Sequence, residues 1–77
     1  MQVEIEYCVP CGHLNRAIDT QRELLDTYGQ DLEAVSLKTG DGGVFKVRID
    51  DELVMDAQED GYDLQTIHNE IKERLDA

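Results

Sequence analysis

Tryptophan is absent from this chain of 77 residues, and its aromatics are limited to Tyr7, Tyr28, Phe45 and Tyr62. The core is therefore expected to be thin and mostly aliphatic. Positive charge is also scarce. Seven basic residues, only three of them lysines (Lys38, Lys46, Lys72), stand against eighteen acidic ones, a formal net charge of −11. That balance argues against electrostatic binding to nucleic acid or to an anionic membrane. The acids are spread along the chain rather than gathered in a tail, which leads us to expect a halophilic source, where salt screens their mutual repulsion. No apolar run approaches the roughly 20 residues of a membrane span. The first residues read directly into strand-like alternation, without the charged and apolar regions of a signal peptide. A soluble, cytoplasmic protein is expected, with residues 1–77 forming one domain and no room for a large substrate pocket.

Cysteine occurs twice, as Cys8 and Cys11, so any thiol chemistry belongs to Cys8-Val9-Pro10-Cys11. The pair lies where one hydrophobic period gives way to another. Val3, Ile5 and Tyr7 alternate with Glu4 and Glu6 as in a half-buried strand ending at Cys8. From near His13, the apolar positions Leu14, Ala17, Ile18, Leu24, Leu25 and Tyr28 follow helical spacing, and Gly29 stands where a left-handed cap would close the helix. Two thiols two residues apart at a helix start can close a small disulfide ring, and the unpaired N–H groups there favour a thiolate. In a reducing compartment such a pair is more often catalytic or metal-binding than a structural staple.

A second strand is expected over Leu32–Thr39, broken by Gly40-Asp41-Gly42-Gly43. That glycine run lacks a following Lys-Ser/Thr and opens a strand, so it reads as a turn rather than a phosphate cradle, and no cofactor is expected. Phe45, Val47 and Ile49 then alternate with Lys46 and Arg48, and Asp50-Asp51 forms a two-residue turn into Glu52-Leu53-Val54-Met55. Positive φ is expected at the second turn residue. A loop around Gln58–Gly61 leads to Asp63, a helix cap, and to a last helix with Leu64, Ile67, Ile71 and Leu75 inward. The order is β-α-β-β-β-α. It predicts an α/β two-layer sandwich in which a mixed four-stranded sheet carries two helices on one face, the first two strands parallel and the hairpin antiparallel.

Thiol exchange is the leading reading of the motif: Pro10 stiffens the ring, Gly12 leaves the approach open, and His13 and Arg16 add nearby positive potential. Cys8, Cys11 and His13 also offer three zinc ligands, but the fourth would have to come from elsewhere, and His68 is expected to flank the buried stripe of the last helix. An inert pair of small buried cysteines is the third alternative. His13 is expected to face solvent, with a proton shuttle as the rival role. Tyr7 is expected to point inward, and Met55 to pack on the sheet.

Tyr7-Cys8-Val9-Pro10-Cys11-Gly12, Gly43-Val44-Phe45-Lys46-Val47-Arg48-Ile49-Asp50 and Glu59-Asp60-Gly61-Tyr62 together resemble the Rdx family, the selenoprotein W-like proteins. The resemblance spans nearly the whole chain and implies a thioredoxin-like fold. It further implies a thiol-disulfide oxidoreductase with Cys8 and Cys11 as catalytic residues, exchanging with a low-molecular-weight thiol or a partner protein through a mixed disulfide. A non-enzymatic redox-sensing interaction module is the alternative, and a monomer is the expected state. Thioredoxin logic makes Cys8 the nucleophile. In selenoprotein W-like proteins selenocysteine, where present, occupies the position that matches Cys11, which favours Cys11 attacking and Cys8 resolving. The chain departs from the family in three places. Asp51 stands where a glycine often completes the hairpin turn, Met55 stands where many bacterial members carry tryptophan, and the lone Pro10 leaves no counterpart to the cis-proline loop of thioredoxins.

Overall fold

A computed structural model of the protein describes residues 1–76. Alternation of apolar and acidic residues builds β1 (Gln2–Cys8), in which Val3, Ile5 and Tyr7 are buried on one face while Glu4 and Glu6 line the other. Helix α1 (Leu14–Tyr28) returns the chain, and a single 3₁₀ turn (Gly29–Asp31) leads into β2 (Ala34–Gly40). β3 (Phe45–Ile49) and β4 (Glu52–Asp56) form the hairpin, followed by a short helix α2 (Ala57–Asp60) and by α3 (Leu64–Leu75). The sheet order is β2-β1-β3-β4. β1 runs parallel to β2, from Gln2 opposite Ala34 to Cys8 opposite Gly40, and antiparallel to β3, with Tyr7 opposite Phe45. This mixed, four-stranded sheet is the one that the strand order predicted.

Both long helices cover the same face. Ala17 and Leu24 from α1 and Ile67 and Ile71 from α3 join Val3, Ile5, Val35, Phe45, Val47, Ile49 and Met55 in one core. The other face is open and polar, and Arg48 there lies 3.5 Å from Glu4 and 3.0 Å from Glu6. A bulge in β4 pairs Val47 with Met55 but Arg48 with Leu53. The extra residue keeps Met55 in the core and turns Leu53 out to the open face, where it is 49% exposed.

Several local expectations change. The segment at Gln58–Gly61, read as a loop, begins with the helical turn α2, because the Asp56 carboxylate accepts from the Gln58 N–H and caps it. Asp63 caps α3 in the same way through Gln65, as expected. Gly29 closes α1 with φ +53° but ψ −121°, so it feeds a 3₁₀ turn and does not continue in left-handed geometry. Leu14, Leu25 and Leu75, expected to be inward, are exposed, and Thr20 takes a buried place on α1. Both turn aspartates have positive φ, +49° at Asp50 and +71° at Asp51, rather than the second alone.

Candidate functional site

The thiol motif is a turn tied down at both ends. Val9 donates its N–H to the Gly40 carbonyl at 3.0 Å, extending the β1–β2 ladder one residue past Cys8. Gly12 N–H then bonds to the Val9 carbonyl at 3.2 Å, which makes Val9–Gly12 a β-turn with Pro10 in the second position, where its fixed φ fits. Gly12 follows with φ +79°, a value that disfavours any side chain. His13 N–H bonds back to the Cys8 carbonyl at 3.4 Å, and the His13 carbonyl accepts from Ala17, starting α1. Strand end, turn and helix start are thus one hydrogen-bonded unit.

Within that unit Cys8 and Cys11 form a disulfide, with Sγ atoms 2.07 Å and Cα atoms 5.3 Å apart. Their environments differ sharply: Cys8 is 0% exposed, whereas Cys11 lies on the surface of the turn. Of the two, Cys11 is the residue that solvent reaches. The first turn of α1 holds no acidic side chain, and no side chain caps it, so the positive end of the helix is not neutralised locally beside Cys11. Two apolar residues that flank Cys11 in the chain are also exposed, Val9 at 50% and Leu14 at 45%.

Gly40 and Val44 belong to the site, although sequence reasoning read Gly40 only as a turn residue and Val44 only as part of the strand run that carries the family resemblance. Gly40 is the in-register partner of Cys8, and a Cβ placed on it would lie 2.7 Å from Val44 Cγ1 and 3.2 Å from Glu6 Oε2. Glycine at this position lets Val44 fold over the end of β2 next to the motif. The run is otherwise the expected turn, closed by Val44 N–H on the Asp41 carbonyl at 3.3 Å and by Gln58 Nε2 on the Gly42 carbonyl at 2.9 Å.

His13 does not face solvent as expected. It is half-buried, its ring stands edge-on to Phe45 with centroids 6.2 Å apart, and its Nδ1 is buried without a hydrogen-bond partner among the described residues. Phe45 also meets Tyr62 edge-on at 5.5 Å, and the Arg16 guanidinium lies over the Tyr62 ring at 4.8 Å. Tyr7 points inward, as expected, and Met55 packs in the core, which removes it as a surface for partners.

The zinc alternative gains no support from the geometry. His68 lies on α3, with Nδ1 2.7 Å from the Tyr28 hydroxyl and Nε2 3.7 Å from Glu23, and no group of three or more His, Cys, Asp or Glu side chains converges on a metal-sized site among the described residues. Burial, and to a lesser extent the charge of Glu23, pushes the Tyr28 hydroxyl above its ordinary pKa. A cavity of about 210 Å³ opens on the polar face of the sheet between Gln2, Glu4, Ser36, Arg48, Asp50 and Asp51; neither cysteine lines it. No helix among the described residues is long and apolar enough to cross a membrane.

This arrangement has close structural parallels. A crystal structure of a protein from Bordetella parapertussis superposes with a TM-score of 0.87 at 32% identity, covering 95% of each chain. The crystal structure of a selenoprotein W-related protein from Vibrio cholerae gives a TM-score of 0.86 at 24% identity, covering 94% of this chain and 92% of the other. No match is found among the curated proteins. The fold is thioredoxin-like, as the resemblance implied. With its strand-end dithiol on that fold and the Rdx family profile matching residues 2–76, the chain belongs to the Rdx family.

Proposed function

We propose that the protein is a thiol-disulfide oxidoreductase in which Cys11 exchanges with a small thiol or a partner protein and Cys8 resolves. The observation that carries this reading is the asymmetry of the pair, Cys8 fully buried and Cys11 an exposed residue of the turn. In reduction of the protein, an external thiolate attacks Cys11 Sγ, the Cys8–Cys11 bond breaks and its electron pair leaves on Cys8 Sγ. A second external thiolate attacks the sulfur of the first, releasing their disulfide and a Cys11 thiolate. Two external thiols are oxidised and one protein disulfide is reduced. In the opposite direction Cys11 attacks a partner disulfide and Cys8 displaces the mixed disulfide. The helix end behind Cys11 favours its thiolate, against the acidic field of the rest of the chain. A reducing cytoplasm is the setting that this chemistry suits.

Mass-spectrometric trapping in lysate tests the assignment. Cys8→Ser is expected to accumulate a mixed disulfide on Cys11, Cys11→Ser to trap none, and either substitution to abolish turnover in a disulfide-exchange assay. Accumulation on Cys8 alone would invert the roles. Absence of turnover in the wild-type protein, with partner binding intact, would sink the enzymatic reading in favour of an interaction module.

A further inference from the structure

Resting on the thiol-exchange reading, we infer that Glu6 sets the order in which the two thiols ionise: its carboxylate holds Cys8 as the neutral thiol, so that the first thiolate of the reduced pair forms on Cys11. Side chains alternate along β1, so Cys8 points with Glu4 and Glu6 to the open face of the sheet, away from Val3, Ile5 and Tyr7. Glu6 does not stay in its own row there. Its cross-strand partners are Lys38 and Lys46, yet among the described residues it is ion-paired with neither. Instead its Cγ and Oε2 lie 3.4 and 3.2 Å from the place that a Gly40 Cβ would take, and Gly40 is the strand partner of Cys8. The side chain leans one row along the sheet, into the gap that glycine leaves beside Cys8.

Distance and burial give that carboxylate its influence. At about 3.3 Å of rise per residue the Glu6 and Cys8 Cα atoms stand about 6.6 Å apart before the lean, inside the screening length of about 10 Å at 0.1 M salt. Cys8 is 0% exposed, and Val44, whose Cγ1 lies 2.7 Å from the same Cβ position, is buried as well. In surroundings so poor in water, a like charge raises a thiol pKa most. Arg48 lies 3.0 Å from Glu6 Oε1, but it pairs across the strands with Glu4, on the side of Glu6 away from Cys8. The ion pair therefore presents its negative end to the thiol.

The remaining charged groups on this face are exposed Lys38 on β2, half-buried Lys46 on β3 with its partner Asp56 on β4, and Asp41 in the turn past Gly40. The two lysines oppose Glu6 from the row behind it, one row further from Cys8 than Gly40 is. His13, edge-on to Phe45, and Arg16, over Tyr62, belong to the helix-covered face. Burial of Cys8 acts in the same direction as Glu6, and the helix start beside Cys11 acts in the opposite one on its own thiol. The two pKa values are pushed apart, which gives the two sulfurs separate roles. A neutral Cys8 does not compete with Cys11 for an incoming disulfide.

Cys11→Ser leaves Cys8 as the sole thiol, and a pH titration of the Cys8 ¹³Cβ resonance then reads its ionisation whether or not the protein turns over any substrate. The titration is run in about 1 M KCl, where a screening length of about 3 Å suppresses distant surface charges but acts far less on buried groups. In that background Glu6→Gln is expected to lower the midpoint by about one unit, about tenfold more thiolate at a given pH below it. Glu4→Gln removes the same charge and an Arg48 contact one row further from Cys8, and is expected to shift the midpoint by less than about a third as much. An unchanged or raised midpoint in Glu6→Gln, or equal shifts in the two variants, would overturn the inference. Should Glu6→Gln fail to fold, the Glu6 ¹³Cδ resonance of the Cys11→Ser protein decides: it is expected to show a second inflection at the Cys8 midpoint, and a flat trace there overturns the assignment.

Discussion

Asp50 and Asp51 occupy the same turn and the same unusual backbone region, with φ +49° and +71°, yet only one has a visible compensation. Asp50 accepts the Gln2 N–H on its carboxylate at 2.9 Å and returns its own N–H to the Gln2 carbonyl at 2.9 Å, pinning the hairpin turn to the start of β1. Asp51 is exposed, and among the described residues it makes no comparable bond. The turn is of the type I′ kind, which matches the twist of its strands and needs positive φ at both positions, so the sequence reading, which placed it only at the second, fell one residue short. Relief of left-handed strain should outweigh glycine's extra freedom in the unfolded chain. Asp51→Gly is therefore expected to stabilise the protein by about 0.5–1 kcal/mol. Urea unfolding at constant pH checks this; an unchanged or lowered midpoint would show that Asp51 contributes something the turn geometry does not reveal.

At the scale of elements, β1, the hairpin and the capped last helix were legible because one periodicity dominates each. Val3-Ile5-Tyr7 and Phe45-Val47-Ile49 have no competing pattern, and Asp63 stands where a cap is needed. Helix α1 was legible as a helix but not in the placing of its face. At about 100° per residue, Leu25 lies roughly 80° round from Ala17, and Thr20 roughly 60° to the other side. Hydrophobicity alone favoured Leu25, but Thr20 is the one buried, for a reason that only the assembled fold supplies. Its hydroxyl donates to the Arg16 carbonyl at 2.8 Å, leaving its oxygen to accept from the Tyr62 hydroxyl at 2.7 Å. That pair joins α1 to the segment ahead of α3 close behind the thiol turn. The sequence reading of His13 as solvent-facing failed similarly, since nothing in local spacing says which way a half-buried imidazole turns. Thr20→Val leaves the Tyr62 hydroxyl without its acceptor and is expected to cost about 1–2 kcal/mol. Combined with Tyr62→Phe it should cost less than the two single changes added together. Additive losses in chemical denaturation would mean that the hydroxyls stabilise the protein independently.

For the whole molecule the deciding quantity is charge that has no partner. Arg48 answers Glu4 and Glu6, Arg74 lies 3.1 Å from Glu52 and 2.7 Å from Glu70, and the N-terminal ammonium lies 3.4 Å from Glu33. The Gln2 amide and that ammonium together hold the Glu33 carboxyl below its ordinary pKa. These contacts engage a minority of the eighteen acids, and the net charge of −11 is carried on a molecule whose Cα radius of gyration is 11.7 Å. At that size most carboxylates lie within one or two Debye lengths of many others at about 0.1 M salt, where the screening length is about 10 Å; at about 1 M it is about 3 Å, and only adjacent groups still interact. A core without tryptophan and with few aromatics has little stability in reserve against that repulsion. If the acidic surface is an adaptation to salt, the thermal unfolding midpoint should climb by several degrees as KCl is raised from about 0.1 to about 2 M, with most of the gain coming before the screening length falls below the spacing of neighbouring carboxylates. Circular dichroism across the titration reads this directly. A midpoint already high in dilute buffer and flat with KCl would mean that the aliphatic core alone outweighs the repulsion, and the acidity would then need a reason other than salt.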